Sequence, residues 1–360
     1  SANNGGYFLY PPPSGFRAIK QDNLATTTKG IPDLVWVKNI DNSGRGHQIY
    51  DSTRGPQKTI YPNGNNAEST NTDSLQKFLK GGFAAEDFTG FNEANESHVA
   101  WNWVANGGTT SANTDGSGGT VATTIQADTT AGFSIVKFTS PASGTGTIRM
   151  AHGLSQAPEW MLLKNLDDSS NWEVYHKSNY IANGATHTLH LNAADASAAV
   201  NAGVDFWTEA PTASYFSLKN LSSIAQNKNA IMYCWHSVPG FSKIGSYVGS
   251  GTETYIGGPR ILLDFTPAWV LIKRIDSNQG WLMFDNVRNE FNPRNNFINV
   301  EGSGPQSSSG GHQVNFYSNG FEIVNSDNNA TLNNSGSTHI YIAFADKPFL
   351  GDGKNPMTAI

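Results

Sequence analysis

Pro267-Ala268-Trp269-Val270-Leu271-Ile272-Lys273-Arg274-Ile275-Asp276 is the stretch on which the fold reading turns, because the chain says it three times. Earlier versions are Pro32-Asp33-Leu34-Val35-Trp36-Val37-Lys38-Asn39-Ile40-Asp41 and Pro158-Glu159-Trp160-Met161-Leu162-Leu163-Lys164-Asn165-Leu166-Asp167. Starts at 32, 158 and 267 are too widely spaced for a solenoid or propeller blade, whose repeats run about 20–50 residues. They suit whole β modules. The run Trp269-Val270-Leu271-Ile272 is apolar on both faces, so it belongs at the centre of a sandwich covered on two sides.

Other marks travel with it. Gln48-Ile49-Tyr50-Asp51, Glu173-Val174-Tyr175-His176 and Leu282-Met283-Phe284-Asp285 follow as short strands, with His47, Trp172 and Trp281 three residues before each aromatic. Each copy closes on a β-rich run: His98–Trp103, Ala230–Trp235 and Ile340–Ala345. Copies two and three open alike, on Gly132-Phe133-Ser134 and Gly240-Phe241-Ser242, and Asn-Gly turns such as 63–64, 183–184 and 319–320 separate the strands. The class is all-β, with tandem antiparallel β-sandwich modules of jelly-roll or lectin-like type and minor short helices. Thr72–Lys80 and the alanine-rich Leu191–Val200 are the stretches that suit one or two helical turns over a sheet edge.

The expected division is an extended N-terminal arm (1–30), a shortened first module (31–108), a Gly/Ser/Thr-rich linker or long loop (109–131), a second module (132–239), a third (240–350) and a tail (351–360).

Composition narrows the function. Charged residues are 14% of the 360, below the roughly 25% of an average globular protein. Aromatics are 11%, so a packed interior is expected. A net charge of -6, with no run of Lys or Arg, argues against a nucleic-acid partner, which needs a basic face. No stretch of about 18 apolar residues exists to span a membrane as a helix. The single Cys234 cannot form an internal disulfide and reads as a buried small hydrophobe.

Catalytic and cofactor patterns are missing from the sequence. Gly-x-Ser-x-Gly and the phosphate-cradling glycine loops are absent. His187 and His190 lie three apart, on opposite faces of a strand, which does not suit one metal ion. His152, before Gly153, reads as a turn residue. Asp167-Asp168 is a loop pair, without the oxygen-rich spacing of a calcium loop. The expectation is no enzyme, no metal and no cofactor.

Two roles compete for Trp172 and Trp281: repeated core packing, or a shelf for a sugar ring. The second would recruit Asp168 and Asn171 beside Trp172, and Asn278 beside Trp281, as hydrogen-bonding neighbours. Lys38, Lys164 and Lys273 each end an apolar strand run. They read as edge lysines that reach water and block edge pairing, with a buried paired charge as the alternative.

Taken together, Pro267–Lys273, Tyr50-Asp51-Ser52-Thr53-Arg54, Ser318-Asn319-Gly320-Phe321 and Ala343-Phe344-Ala345-Asp346-Lys347-Pro348-Phe349 resemble a module repeated in long virion proteins of tailed, especially marine, bacteriophages. There a stretch like Pro12-Pro13-Ser14-Gly15-Phe16 often follows a lectin-like SPRY domain. The resemblance covers about residues 7–349. It departs where copy one lacks the Gly-Phe-Ser opening, its place taken by Phe16–Thr28. It departs again where copy two has Tyr175-His176-Lys177-Ser178 for Tyr-Asp-x-x-Arg. The first departure suggests a piece of something longer.

The resemblance implies a non-enzymatic virion structural protein: a fibre, spike or capsid-surface appendage, assembled in the bacterial cytoplasm and exposed on the particle. Implied partners are other virion proteins, further copies in a trimer, and a host-surface glycan. A lectin-like carbohydrate-binding adhesin and a polysaccharide depolymerase are the alternatives.

Overall fold

The computed structural model describes residues 30–113, 121–142, 146–184, 187–199, 206–219, 226–251, 258–324 and 329–346. The expected arm 1–30, apart from Gly30, and the tail 351–360 lie outside them, as do Phe16–Thr28 and the Lys347–Phe349 end of the last motif.

Each repeat is built on its marker strand, Leu34–Asn39, Trp160–Asn165 or Pro267–Arg274. An aromatic strand pairs antiparallel on one side: Gln48–Asp51, Glu173–His176 or Leu282–Asp285. The closing strand pairs on the other: His98–Trp103, Asn229–Trp235 or Thr338–Ala345. Leu34 stands opposite Trp103, Trp160 opposite Trp235, and Trp269 opposite Phe344, so the register repeats with the sequence. The opening strands Phe133–Thr139 and Ser242–Val248 add to the closing strands of repeats two and three. Gly132 (φ 65°) and Gly240 (φ 73°) precede them in the left-handed region, which explains the Gly-Phe signature. A Cβ on Gly132 would lie 2.9 Å from the His236 carbonyl oxygen.

Strand alternation sends the two apolar sets of each marker run into different cores. Met161 and Leu163 face an outer core with Ile148, Met150, Phe216 and Leu218, from the small sheet Thr147–Ala151/Tyr215–Lys219. Val270 and Ile272 do the same against Ile261, Phe321 and Ile323, and Val35 and Val37 against Leu75 and Phe83. Each repeat is therefore a two-layer antiparallel sandwich, as expected.

The inner faces all share one core. Leu34, Trp36, Trp101 and Trp103 from repeat one meet Trp160, Leu162, Tyr233 and Trp235 from repeat two and Trp269, Leu271, Ile342 and Phe344 from repeat three. Trp103 lies edge-on to Trp235 (5.9 Å), Trp269 (5.9 Å) and Phe344 (5.5 Å). Three equivalent backbone bonds close the ring: Glu68 N to Leu166 O (2.9 Å), Ser197 N to Ile275 O (2.7 Å) and Gln306 N to Ile40 O (2.9 Å). Repeat one donates to two, two to three, and three back to one. This is a cyclic pseudo-threefold arrangement made by one chain.

Three expectations need correcting. Leu75–Leu79 is a strand, paired with Gly82–Ala85. A bulge between Leu75 and Lys77 lets both Leu75 and Phe78 turn inward, which mimics helical i,i+3 spacing. Leu191–Val200 is not helical where described: Ala198–Ala199 pairs with His187–Thr188. Among the described residues, the helix is instead Lys177–Asn183, capped by the His176 ring accepting from Ser178 N. Within 109–131, Ser111–Asn113 and Thr123–Asp128 are paired strands that extend the second repeat's sheet beyond Phe133–Thr139. The β-branched run Thr123-Thr124-Ile125 outweighs the Gly/Ser-rich composition around it.

Candidate functional site

The repeated polar positions converge on the seams between repeats. Lys38, Lys164 and Lys273 sit in central strands and are fully buried, which overturns the edge reading. Lys164 Nζ donates to Asn65 O (3.0 Å), across the seam in repeat one, and to Ser170 O (2.7 Å) in its own repeat. Lys273 Nζ donates to Ala194 O (3.1 Å) in repeat two and to Gln279 O (2.5 Å). Lys38 Nζ donates to the Asn39 carbonyl. Burial, which disfavours the ammonium form, lowers all three pKa values to about 8.

Trp172 and Trp281 are also fully buried, so neither offers a ring face to a sugar and the core-packing role holds. Their indole N–H groups cross the same seams, from Trp172 Nε1 to Tyr61 O and from Trp281 Nε1 to His190 O, both 2.9 Å. The equivalent position in repeat one is His47, whose Nδ1 accepts from Trp36 Nε1 (2.9 Å) while Nε2 bonds Asn299 O (3.1 Å) in repeat three. That pairing is the neutral tautomer, and burial pushes the His47 pKa down to about 3. Sequence spacing showed the equivalence of His47, Trp172 and Trp281. It could not show that all three donate across a seam to the preceding repeat, against the direction of the backbone bonds.

The expected sugar-binding neighbours serve the loops. Asp168 pairs with Lys228 (3.1 Å), and its N–H bonds Asn165 Oδ1. Asn171 Oδ1 accepts from Asn192 Nδ2 (3.0 Å), and Asn278 Oδ1 from Ala196 N (2.9 Å). Asn278 reaches across Trp281's seam, whereas the partners of Asp168 and Asn171 lie within repeat two, and no aromatic shelf lies between them.

The Tyr-Asp-x-x-Arg motif is a buried brace. Arg54 bonds Asp51 through Nε and takes Ile49 O (3.1 Å) through Nη2. Arg288 repeats this on Asp285 (2.6 Å) and Met283 O (3.1 Å). In repeat two, His176 replaces the Asp; its Nδ1 caps the helix and its Nε2 bonds Tyr341 O (3.2 Å). His152 holds its turn through Leu154 N and Thr212 O, both 3.1 Å. Cys234 is buried, and burial raises its thiol pKa. Among the described residues, no three His, Cys, Asp or Glu side chains converge as metal ligands do.

The buried ionisable groups named here hold strands and seams together. Polar loops remain exposed, among them Asp41-Asn42-Ser43-Gly44 and Asp167-Asp168-Ser169, beside the neighbouring repeat's turns.

Residues 18–348 match the family described as "Domain of unknown function (DUF7483)". No curated protein and no solved structure matches the chain.

Proposed function

The chain belongs to that DUF7483 family, and we propose that it is a non-enzymatic virion protein of a tailed phage. In this reading it is a fibre, spike or capsid-surface appendage that serves assembly and host-surface recognition. The observation that carries the reading is the cyclic closure of three sandwich repeats on one core, which commits the repeated polar residues to holding the scaffold. Such a body is a rigid presenter of loops. The motif resemblance to phage virion modules supports the same conclusion. Its partners in this reading are other virion proteins, further copies of the chain in a trimer, and a host-surface glycan.

The test is antibody labelling of intact phage particles, combined with incubation of the purified chain on host polysaccharide. Surface labelling without release of reducing ends is expected. Cleavage of the polysaccharide overturns the reading in favour of a depolymerase. Glycan binding by a chain that labels no particle favours a free adhesin.

A further inference from the structure

The loop after the third repeat's aromatic strand, Asn286–Asn295, holds in Arg294 a cation with no ion pair among the described residues. Arg294 is only 8% exposed, and its guanidinium lies 4.5 Å from the Phe316 ring centroid. Its Nη groups donate to two neutral acceptors, Asn292 Oδ1 and Glu290 O (3.1 Å), and its Nε–H has no acceptor. No carboxylate comes within ion-pairing distance among the described residues. Asp285 is bound by Arg288 (2.6 Å), and Asp346 accepts from Asn286 Nδ2 (2.8 Å).

Burying a charge without a partner is costly, and the cost is recovered when a counter-ion arrives. Guanidinium and carboxylate match in a forked pair, the strongest polar contact such a site can make. On the same loop as this cation, Phe291 is 79% exposed and Val287 41% exposed. A large aromatic left in water three residues from a cation without an ion-pair partner is an arrangement that folding alone does not favour. The loop is also individual. The corresponding stretch is a short turn from Ser52 in repeat one and the helix Lys177–Asn183 in repeat two, so symmetry does not demand it. Asn292 braces it to the small sheet, accepting from Phe316 N and donating to Phe316 O, both 2.9 Å.

We propose that this loop binds an acidic saccharide: Arg294 takes the sugar carboxylate in place of its neutral acceptors, and the Phe291 ring covers the apolar face of the sugar. The proposal rests on the glycan-recognition reading above and names the class of glycan and the residues. Glu290, exposed beside the site, favours a single carboxylate at Arg294 over a dense polyanion.

Titration calorimetry with trigalacturonate, its methyl ester and an acidic hexapeptide tests it. The free acid is expected to bind roughly tenfold or more tightly than the ester, about 1.4 kcal/mol for one lost charge-assisted contact. Arg294→Gln is expected to abolish that preference, and Arg294→Lys to restore it in part. Phe291→Ala, at an exposed position, is expected to weaken binding roughly tenfold with thermal stability unchanged, because it removes ring contact alone. Equal binding of acid and ester, tighter binding of the peptide, unchanged affinity in Phe291→Ala, or no saccharide binding overturns the proposal. Surface labelling of particles decides the broader reading separately.

Discussion

The Tyr233 hydroxyl donates to the Asp51 carboxylate at 2.6 Å, joining the closing strand of repeat two to the aromatic strand of repeat one across 182 residues of sequence. Asp51 also holds Arg54, so three buried polar groups from two repeats satisfy one another. Tyr233→Phe removes one bond and keeps the packing, and should cost about 1–2 kcal/mol. Arg54→Met leaves the Asp51 carboxylate buried without its cation and should cost about 3–5 kcal/mol. Urea unfolding of both variants checks this. Equal losses would show that the brace does not act as a charged unit.

A shared core makes the three repeats one cooperative body. Residues 240–346 alone would expose Trp269, Trp281 and Phe344, which pack in the common interior. That segment is expected to lack native near-ultraviolet dichroism and dispersed amide resonances, whereas the intact chain melts in one transition. A folded isolated third repeat would contradict cyclic closure.

Much of this was legible in the chain. The marker runs gave central strands because Val270 and Ile272 and their partners Trp269 and Leu271 are apolar on alternate faces, and both faces proved covered. The repeated Trp172 and Trp281 were readable as core. The lysines were not, because the carbonyls that satisfy Lys164 and Lys273 belong to Asn65 and Ala194, about 80–100 residues away in another repeat. The hairpin at Leu75 was hidden by its bulge. Arg294 gave no signal at all, since an unpaired buried cation is visible only once its surroundings are placed.

Acid should destabilise the protein. Burial lowers His47 to about 3 and His152, His176 and His339 to about 4, from an ordinary 6.5. Below pH 6.5 the unfolded chain binds protons at these rings and the folded chain does not, so stability falls as pH drops. Between pH 6.5 and 5 each contributes a loss of roughly 2 kcal/mol at most. His190 acts in the opposite sense. Despite burial, Glu173 (3.4 Å) and Asp195 (3.7 Å) raise its pKa, so its stabilisation is full below pH 6.5 and fades as pH rises. A melting temperature clearly lower at pH 5 than at pH 7.5 is expected. His190 alone should titrate above 6.5 among these five in a histidine-ring NMR titration.

The three buried strand lysines predict a gain in mild alkali. Their folded pKa values are about 8 against an ordinary 10.5. Between these values the unfolded chain holds protons that the folded chain has released, so stability rises with pH across that window. From pH 8 to 9.5 the contribution is about 1–2 kcal/mol per lysine. The gain ends near pH 10, because burial raises Tyr50 to about 12 and keeps it protonated while the unfolded phenol ionises, which favours unfolding. Lys164→Met removes one of the three titrating amines, takes one of two donors from the Asn65 carbonyl and leaves the Ser170 carbonyl without its lysine. It should be less stable than the parent at pH 7, by about 1–3 kcal/mol. It should also rise less steeply between pH 8 and 9.5 in guanidinium titrations. A parent protein whose midpoint does not move over that range would mean that these amines stay charged and hydrated, and that the seams are not sealed as the three lysines imply.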